Sequence, residues 1–311
     1  MGLVYADLED EKLSDQDKEE IKFWLDRAKS NDVWAKKIFK KVGILITSHP
    51  NNRPYLKACI DSHVKLGYWI TLAYDNHLPE VKGETEEEID YNRVMPAYDV
   101  MQNVDTFIMP HHQVWGGVLY PYFWLLKFGV SAMKDFEYIY CTNGDFILEK
   151  PEGFEELFKM MGDADVMTCG HDDERYANTA GFIIKTEAFI KVVKHFEDHF
   201  IPFEVYEKHT QSIGNAEGRL GRAITDLNLK RKIIDPPADD MLKVPGKGTW
   251  YETMGFRHIH SEHNHAYRNR GIPPHYKYLD SRFMGDEYNF VKKYWDSNDK
   301  TVLEDWWAKD G

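Results

Sequence analysis

Val42 to Thr47, Val-Gly-Ile-Leu-Ile-Thr, is a nearly unbroken apolar run. A strand with one wet face alternates polar and apolar residues, so a run without alternation suits a strand covered on both faces, as in parallel sheets. It ends in Ser48-His49-Pro50-Asn51-Asn52-Arg53-Pro54, where Pro54 is placed to open a helix. Leu56, Ile60 and Val64 give that helix a buried stripe, and Gly67 ends it. Tyr68 to Tyr74 is the next apolar strand, closed by Asp75-Asn76-His77. A strand–helix–strand unit of this kind demands an α/β fold. Ligands in such sheets bind beyond the carboxyl ends of the strands, so Ser48, His49, Arg53 and Asp75 share one ligand edge.

A second stretch, Phe136 to Pro151, carries the candidate chemistry. Ile139-Tyr140-Cys141 reads as a buried strand, Thr142-Asn143-Gly144-Asp145 interrupts it, and Phe146-Ile147 resumes it. Asn-Gly is a strong turn signal, so one reading is a tight hairpin. The other is the exposed end of a central strand that holds a cation.

The remaining chain continues the alternation of strands and helices. Strands are predicted at Asp105–Met109, Asp165–Cys169 and Ile233–Ile234, and helices at Phe154–Met161 and Glu187–Phe200, with a long aromatic helix after Gly116-Gly117. Phe256, His258 and His260 alternate onto one face of a late strand. Residues 1–40 read as a charged helical extension with a stripe of Ile21, Trp24, Leu25 and Ala28. The acidic run Gly83–Asp90 reads as a solvated loop or helix end. With no internal repeat or low-complexity linker, the expected organisation is an extension over 1–40, a catalytic domain over 41–265 and a C-terminal extension over 266–311 packed on it.

Composition narrows the class. Of 311 residues, 44 are aromatic (9 Trp, 18 Tyr and 17 Phe), which opposes disorder. Net charge of -13 opposes nucleic-acid binding through the whole surface, though a local basic cleft remains compatible with it. Cys59, Cys141 and Cys169 are few and odd in number, as expected for small buried residues in a reducing compartment. The first residues are acidic rather than basic and then apolar, and Val114–Met133 is broken by Gly116, Gly117, Pro121, Lys127 and Gly129. The expectation is a soluble cytoplasmic protein with no membrane span.

The order of these segments resembles the nucleotide-sugar glycosyltransferases of the GT-A (nucleotide-diphospho-sugar transferase) fold, over roughly residues 42–265. The resemblance implies a mixed, mostly parallel sheet flanked by helices. Residues 42–76 are similar to the opening unit of that family, which would give Thr47, His49, Arg53 and Asp75 to the base and ribose. Tyr-Ile-Tyr-Cys-Thr-Asn-Gly-Asp resembles the Asp-x-Asp strand, with Asn143 in place of the first Asp; Asp145 would ligate a cation, and Asn143 with Gly144 would meet the metal or the ribose. Asn178-Thr-Ala-Gly181 resembles the segment near donor sugar and acceptor. His260 or His258 would complete the metal sphere, and Arg268 with Arg270 would hold the diphosphate. The implied cofactors are Mn²⁺ or Mg²⁺ and a nucleotide sugar, with a UDP-sugar foremost. An inverting enzyme would also need a general base, for which Glu217 leads and Asp172 and Asp173 follow.

Other readings stand beside this one. His258-Ile-His260-Ser-Glu262-His263 superficially resembles the signature of metallo-β-lactamase-like hydrolases, but the downstream ligands that motif requires are scarce. A nucleotidyltransferase would carry a Gly-rich loop after the first strand, and Ser48–Pro54 has no glycine. A non-catalytic nucleotide-sugar binding protein is compatible with Asn143. The acceptor would be a glycan, a small molecule or modified DNA; the last rests on Arg257–Arg282 and Lys230-Arg231-Lys232 as a local basic cleft.

Overall fold

The computed structural model describes residues 3–4, 19, 37, 40–75, 85–109, 119–169, 177, 179, 181–199, 216–234 and 256–258. At its centre lies β2 (Val42–Ser48), buried along its whole length. α1 (Arg53–Val64) carries the chain to β3 (Trp69–Tyr74), which pairs in parallel with β2 from Gly43↔Trp69 to Ser48↔Tyr74. Leu56, Cys59 and Ile60 face the sheet from α1, and Gly67 turns the chain with a left-handed φ of 66°. α2 (Glu86–Met101) then leads to β4 (Thr106–Ile108), beside β3. α3 (Leu119–Ala132) crosses back, and β5 (Tyr138–Asn143) pairs with the other side of β2, from Val42↔Tyr138 to Thr47↔Asn143.

Past β5 come β6 (Phe146–Leu148), α4 (Pro151–Met161), β7 (Val166–Cys169), β8 (Gly181–Lys185) and α5 (Thr186–Asp198). α6 (Ala216–Asp226), β9 (Arg231–Ile234) and β10 (Phe256–His258) complete the described elements. With β1 (Leu3–Val4) at one edge, the main sheet runs β1-β4-β3-β2-β5-β8-β7-β9. Every pairing is parallel except those of β8, which runs against β5 and β7. The expected mixed, mostly parallel sheet flanked by helices is therefore what the chain forms. Two apolar layers sandwich it. Ile44, Ile46, Leu72, Tyr140 and Met167 meet α1, α2 and α4, while Leu45, Ile139, Cys141, Phe182 and Ile184 meet α3, α5 and α6.

One detail departs from the sequence reading, and two alternatives that it left open are decided. Leu3–Val4 forms an edge strand parallel to β4, so the first residues are not all helical. Of the two readings of the acidic run, the helix end is the one formed: at the start of α2 the Thr85 hydroxyl accepts from the Glu88 amide at 3.1 Å, and Glu86, Glu87 and Glu88 sit where the helix dipole favours acids. Asn143-Gly144-Asp145 is no hairpin, because β5 and β6 do not pair with each other. β6 turns out of the main sheet and pairs antiparallel with β10, His258 opposite Phe146. No helix among the described residues is long and apolar enough to cross a membrane.

Basic and acidic residues meet along the amino edge of the sheet. Lys37 Nζ donates to both Asp105 oxygens at 2.7 and 2.8 Å, and Asp105 also accepts from the Ile70 amide at 2.9 Å. Lys41 pairs with Glu137, Lys185 with Asp165, and Lys230 with Asp163.

His63 is buried against this scaffold, its ring stacked on Tyr140 at 6.0 Å between centroids, and its Nδ1–H donates to the Cys59 carbonyl at 2.8 Å. Burial pushes its pKa down to about 4 from 6.5; the bond to the Cys59 carbonyl acts the other way. Between those two values the unfolded chain binds a proton that the folded chain refuses, so stability falls as pH drops from about 6.5 and levels off below about 4, for a loss of about 3 kcal/mol. Urea unfolding of wild type and His63→Leu from pH 7 to 4 is expected to show a flatter acid limb in the variant. Parallel limbs would mean that His63 does not titrate in this window.

Candidate functional site

The connections divide at β2. From there the chain winds outward through β3 and β4 on one side, while β5 lies on the other. Such a reversal opens a crevice at the carboxyl edge, where doubly wound sheets bind ligands. The residues bordering it are Thr47, Ser48 and His49 from β2 and its exit, Asp75 after β3, Asn143 to Asp145 after β5, and Gly181, which opens the reversed strand β8 opposite Thr142.

The backbone at Asn143-Gly144-Asp145 is braced from two elements. The Gly144 amide donates to the Thr47 carbonyl at 2.8 Å, continuing the β2–β5 ladder by one bond. The Cys59 thiol, on α1, lies 3.5 Å from the Asn143 carbonyl and donates to it. One turn further along α1, the Ser62 hydroxyl accepts from the Leu148 amide at 3.1 Å while donating to the Cys59 carbonyl at 2.7 Å. A chain leaving a sheet must find partners for its backbone groups, and here α1 supplies them. Gly144 is required by space: a Cβ there would lie 2.3 Å from Ser48 Oγ and 2.8 Å from Ser48 Cβ.

The polar side chains at this edge are buried, with Thr47, Ser48, Asp75 and Asp145 each under 7% exposed. Thr47 Oγ1 lies 3.0 Å from Asn143 Oδ1 and 3.3 Å from the Thr142 carbonyl, and its one proton serves both. Asn143 Oδ1 is thus committed to Thr47 as an acceptor. Asp75 is fixed through its backbone, whose amide donates to the Ser48 carbonyl at 2.9 Å. Asp145 lies near enough to Cys59 for its charge to matter: burial first, and the Asp145 carboxylate second, push the Cys59 thiol far above its ordinary pKa. Cys59 is therefore a neutral hydrogen-bond donor. Ser48 Oγ is shut off from solvent, with no hydrogen-bond partner among the described residues.

A short 3₁₀ turn, Pro50–Asn52, carries the chain from β2 into α1, with the Asn52 amide bonded to the His49 carbonyl at 2.9 Å. The Asn52 side chain makes no capping hydrogen bond, so the first turn of α1 brings backbone N–H groups to the crevice edge without a side-chain cap. Arg53 opens that turn.

Thus Thr47, His49, Arg53, Asp75, Asn143, Gly144, Asp145 and Gly181 fall at one edge of the sheet. Glu217 is the second residue of α6. That helix packs on the same sheet face toward which Thr47 and Asn143 alternate, and it leads into β9 at the amino edge, so its start lies toward the carboxyl edge. His258 is placed through its backbone alone, level with Phe146 and thus beside Asp145 in register. Asp172, Asp173, Asn178, His260, His263, Arg268 and Arg270 lie outside the described residues. Among the described residues no three His, Cys, Asp or Glu side chains converge as a metal site.

Lys230-Arg231-Lys232 does not line this crevice. These residues open β9 at the amino edge; besides the Lys230–Asp163 pair, Lys232 bonds to the Met160 carbonyl and Arg231 Nε donates to Thr168 Oγ1 at 3.1 Å. Sequence reasoning missed the bracing roles of Cys59 and Ser62. Their i, i+3 spacing marks a shared helix face, but nothing local shows that this face meets the β5–β6 corner.

No family profile and no curated protein matches the sequence. Loose structural likenesses exist. A candidate nucleotide-diphospho-sugar transferase from Desulfovibrio desulfuricans G20 is 9% identical, with a TM-score of 0.36 over 63% of this chain and 80% of that one. The 4-diphosphocytidyl-2C-methyl-D-erythritol synthase from Anaerococcus prevotii DSM 20548 is 11% identical, with a TM-score of 0.39 over 63% of this chain and 89% of that one. Likenesses this loose do not bear on the activity.

The tight fit of Gly144 makes a direct prediction. Gly144→Ala must push Ser48 aside, and overpacking of this kind costs about 2 kcal/mol. Adding Ser48→Gly to the same chain is expected to recover part of that loss in urea unfolding, a coupling that two independent sites would not show.

Proposed function

We propose that the chain is a metal-dependent glycosyltransferase of the GT-A type, moving a sugar from a nucleoside-diphosphate donor, foremost a UDP-sugar, to a hydroxyl acceptor. The observation that carries this reading is the placement of buried Asp145 on a braced, non-hairpin corner at the crevice where the sheet's connections reverse.

Each bordering residue has a task in this scheme. Asp75 accepts hydrogen bonds from ribose hydroxyls, and Thr47 with His49 borders the base. The Asn143 amide, its oxygen turned to Thr47, donates to a ribose or sugar hydroxyl rather than ligating the cation. Backbone N–H groups at the start of α1, with Arg53, receive phosphate oxygens. Arg268 and Arg270 are assigned to the same diphosphate. Asp145 holds Mn²⁺ or Mg²⁺, with His258 or His260 as a further ligand; a bound cation of this kind offsets the charge that grows on the departing diphosphate. Burial of Asp145 suits this task, because a carboxylate fixed among packed side chains needs no reorganisation to meet a cation. If the reaction inverts configuration, Glu217 takes the acceptor proton, with Asp172 or Asp173 in reserve.

A thermal-shift panel of nucleotide sugars with and without Mn²⁺ tests the scheme. At about a hundredfold excess over Kd, a UDP-sugar with Mn²⁺ is expected to raise Tm by about 5 °C. Omitting the metal or introducing Asp145→Ala should each abolish the rise. A shift that survives Asp145→Ala removes the metal assignment, and a panel with no shift at all removes the transferase reading.

A further inference from the structure

α2 carries apolar side chains on two opposite faces. Ala97 and Val100 are fully buried in the layer that covers the sheet. On the other face Tyr91 and Tyr98 stand 57% and 46% exposed, with half-buried Met95 between them and exposed Gln102 one turn beyond. Seven residues make two helical turns, so the tyrosines lie in line, about 10 Å apart along the axis. Of the large hydrophobic side chains exposed among the described residues, these are the only aromatic ones.

Three properties decide what covers this line. It is narrow. Two half-exposed tyrosines fall far short of the area, about 800 Å², that each partner gives to a stable protein interface, so a second copy of the chain gains little here. Its described charges are acidic. Glu86, Glu87 and Glu88 form the exposed first turn, just before Tyr91, which opposes a phosphate-bearing chain or an acidic glycan. It is also periodic. Rings two turns apart in line fit a straight ligand that shows the same flat apolar face at that interval. A β-1,4-linked chain of pyranoses has this form, because each ring is turned over relative to the last and every second ring shows the same C–H face. Two such rings span about the distance between the tyrosines. A tyrosine covers that face while its hydroxyl stays in water or meets a sugar hydroxyl. α2 follows β3 from the carboxyl edge, packs on the 3₁₀ turn Pro50–Asn52 and returns to β4, so Tyr91 is the ring nearer the crevice edge.

We propose that Tyr91 and Tyr98 form a stacking track for a straight, neutral, β-1,4-linked glycan. Met95 adds apolar surface between the two rings, and Gln102 offers hydrogen bonds past the second. That this glycan is the tail of the acceptor rests on the transferase reading; the track itself does not.

Calorimetry is expected to show cellohexaose, a straight β-1,4-glucan, binding about tenfold more tightly than maltohexaose, whose α-1,4 links coil the same glucose units, and Tyr91→Ala and Tyr98→Ala each weakening cellohexaose about tenfold. Tyr→Phe at either position should keep most of the affinity, since the ring face remains. Alanine suits an exposed helical position, so Tm should not fall in the alanine variants. Cellobiose is too short to reach both rings and should bind wild type no better than cellohexaose binds a one-ring variant. Equal affinity for the two hexaoses, or cellohexaose binding that both alanine variants retain, overturns the track. A dimer in sedimentation that Tyr98→Ala dissociates assigns this face to a second copy and likewise overturns it. Glycan binding in a protein that no nucleotide sugar stabilises keeps the track and removes the transferase reading; stabilisation by a nucleotide sugar without glycan binding does the reverse.

Discussion

The corner at Gly144 depends on one close contact, its backbone seated against Ser48 with no room for a side chain between them. Everything at the crevice follows from the chain turning there. Because β5 ends against the tip of β2, Asn143 and Thr47 become neighbours. Because the turn takes β6 away from β5, the backbone groups of that segment need partners elsewhere, and α1 supplies them through Cys59 and Ser62. Two short polar side chains on a core helix thus fix the place from which Asp145 projects. Such support from packed elements holds a functional group more closely than a free loop can.

The two edges of the sheet use charge differently. Lysines and acids meet at the amino edge, as in Lys37–Asp105, Lys41–Glu137, Lys185–Asp165 and Lys230–Asp163. Asp105 is buried beneath its lysine, while the more exposed pairs, Lys41–Glu137 and Lys230–Asp163, stabilise little individually; together they keep these cations occupied far from the crevice. At the carboxyl edge the polar groups are small and buried: Thr47, Ser48, Asp75 and Asp145. The desolvated edge strengthens any electrostatic contact made within it.

Much of this was legible in the residues themselves. The apolar runs of β2, β3 and β5 declare strands covered on both faces, and Pro54 with the Leu56–Ile60 stripe declares α1. The ends of the first two strands then mark Ser48, His49, Arg53 and Asp75 as sharing one edge. Other features were less visible. α2 has no strong apolar stripe and contains Pro96, so its helical character rests on the Thr85 cap and on contacts made in the folded chain. The hairpin alternative at Asn143-Gly144 could not be dismissed locally, because what decides it is the pairing of β6 with β10. The reversed strand β8 is equally non-local, since its apolar residues would suit either direction. The cluster Lys230-Arg231-Lys232 looked like a ligand surface only while its edge of the sheet was unknown.

The pairing of Phe146–Leu148 with Phe256–His258 has a consequence for the order in which the molecule is built. The strand beside Asp145 finds its partner only after the whole span between Leu148 and Phe256 has been made. Contacts so distant in sequence form late, because the loop they close must be ordered first. A nascent chain that has not yet reached Phe256 therefore contains the β2–β5 scaffold and the Asp145 carboxylate but not the ladder that flanks it. Assembly of the crevice edge thus trails assembly of the core.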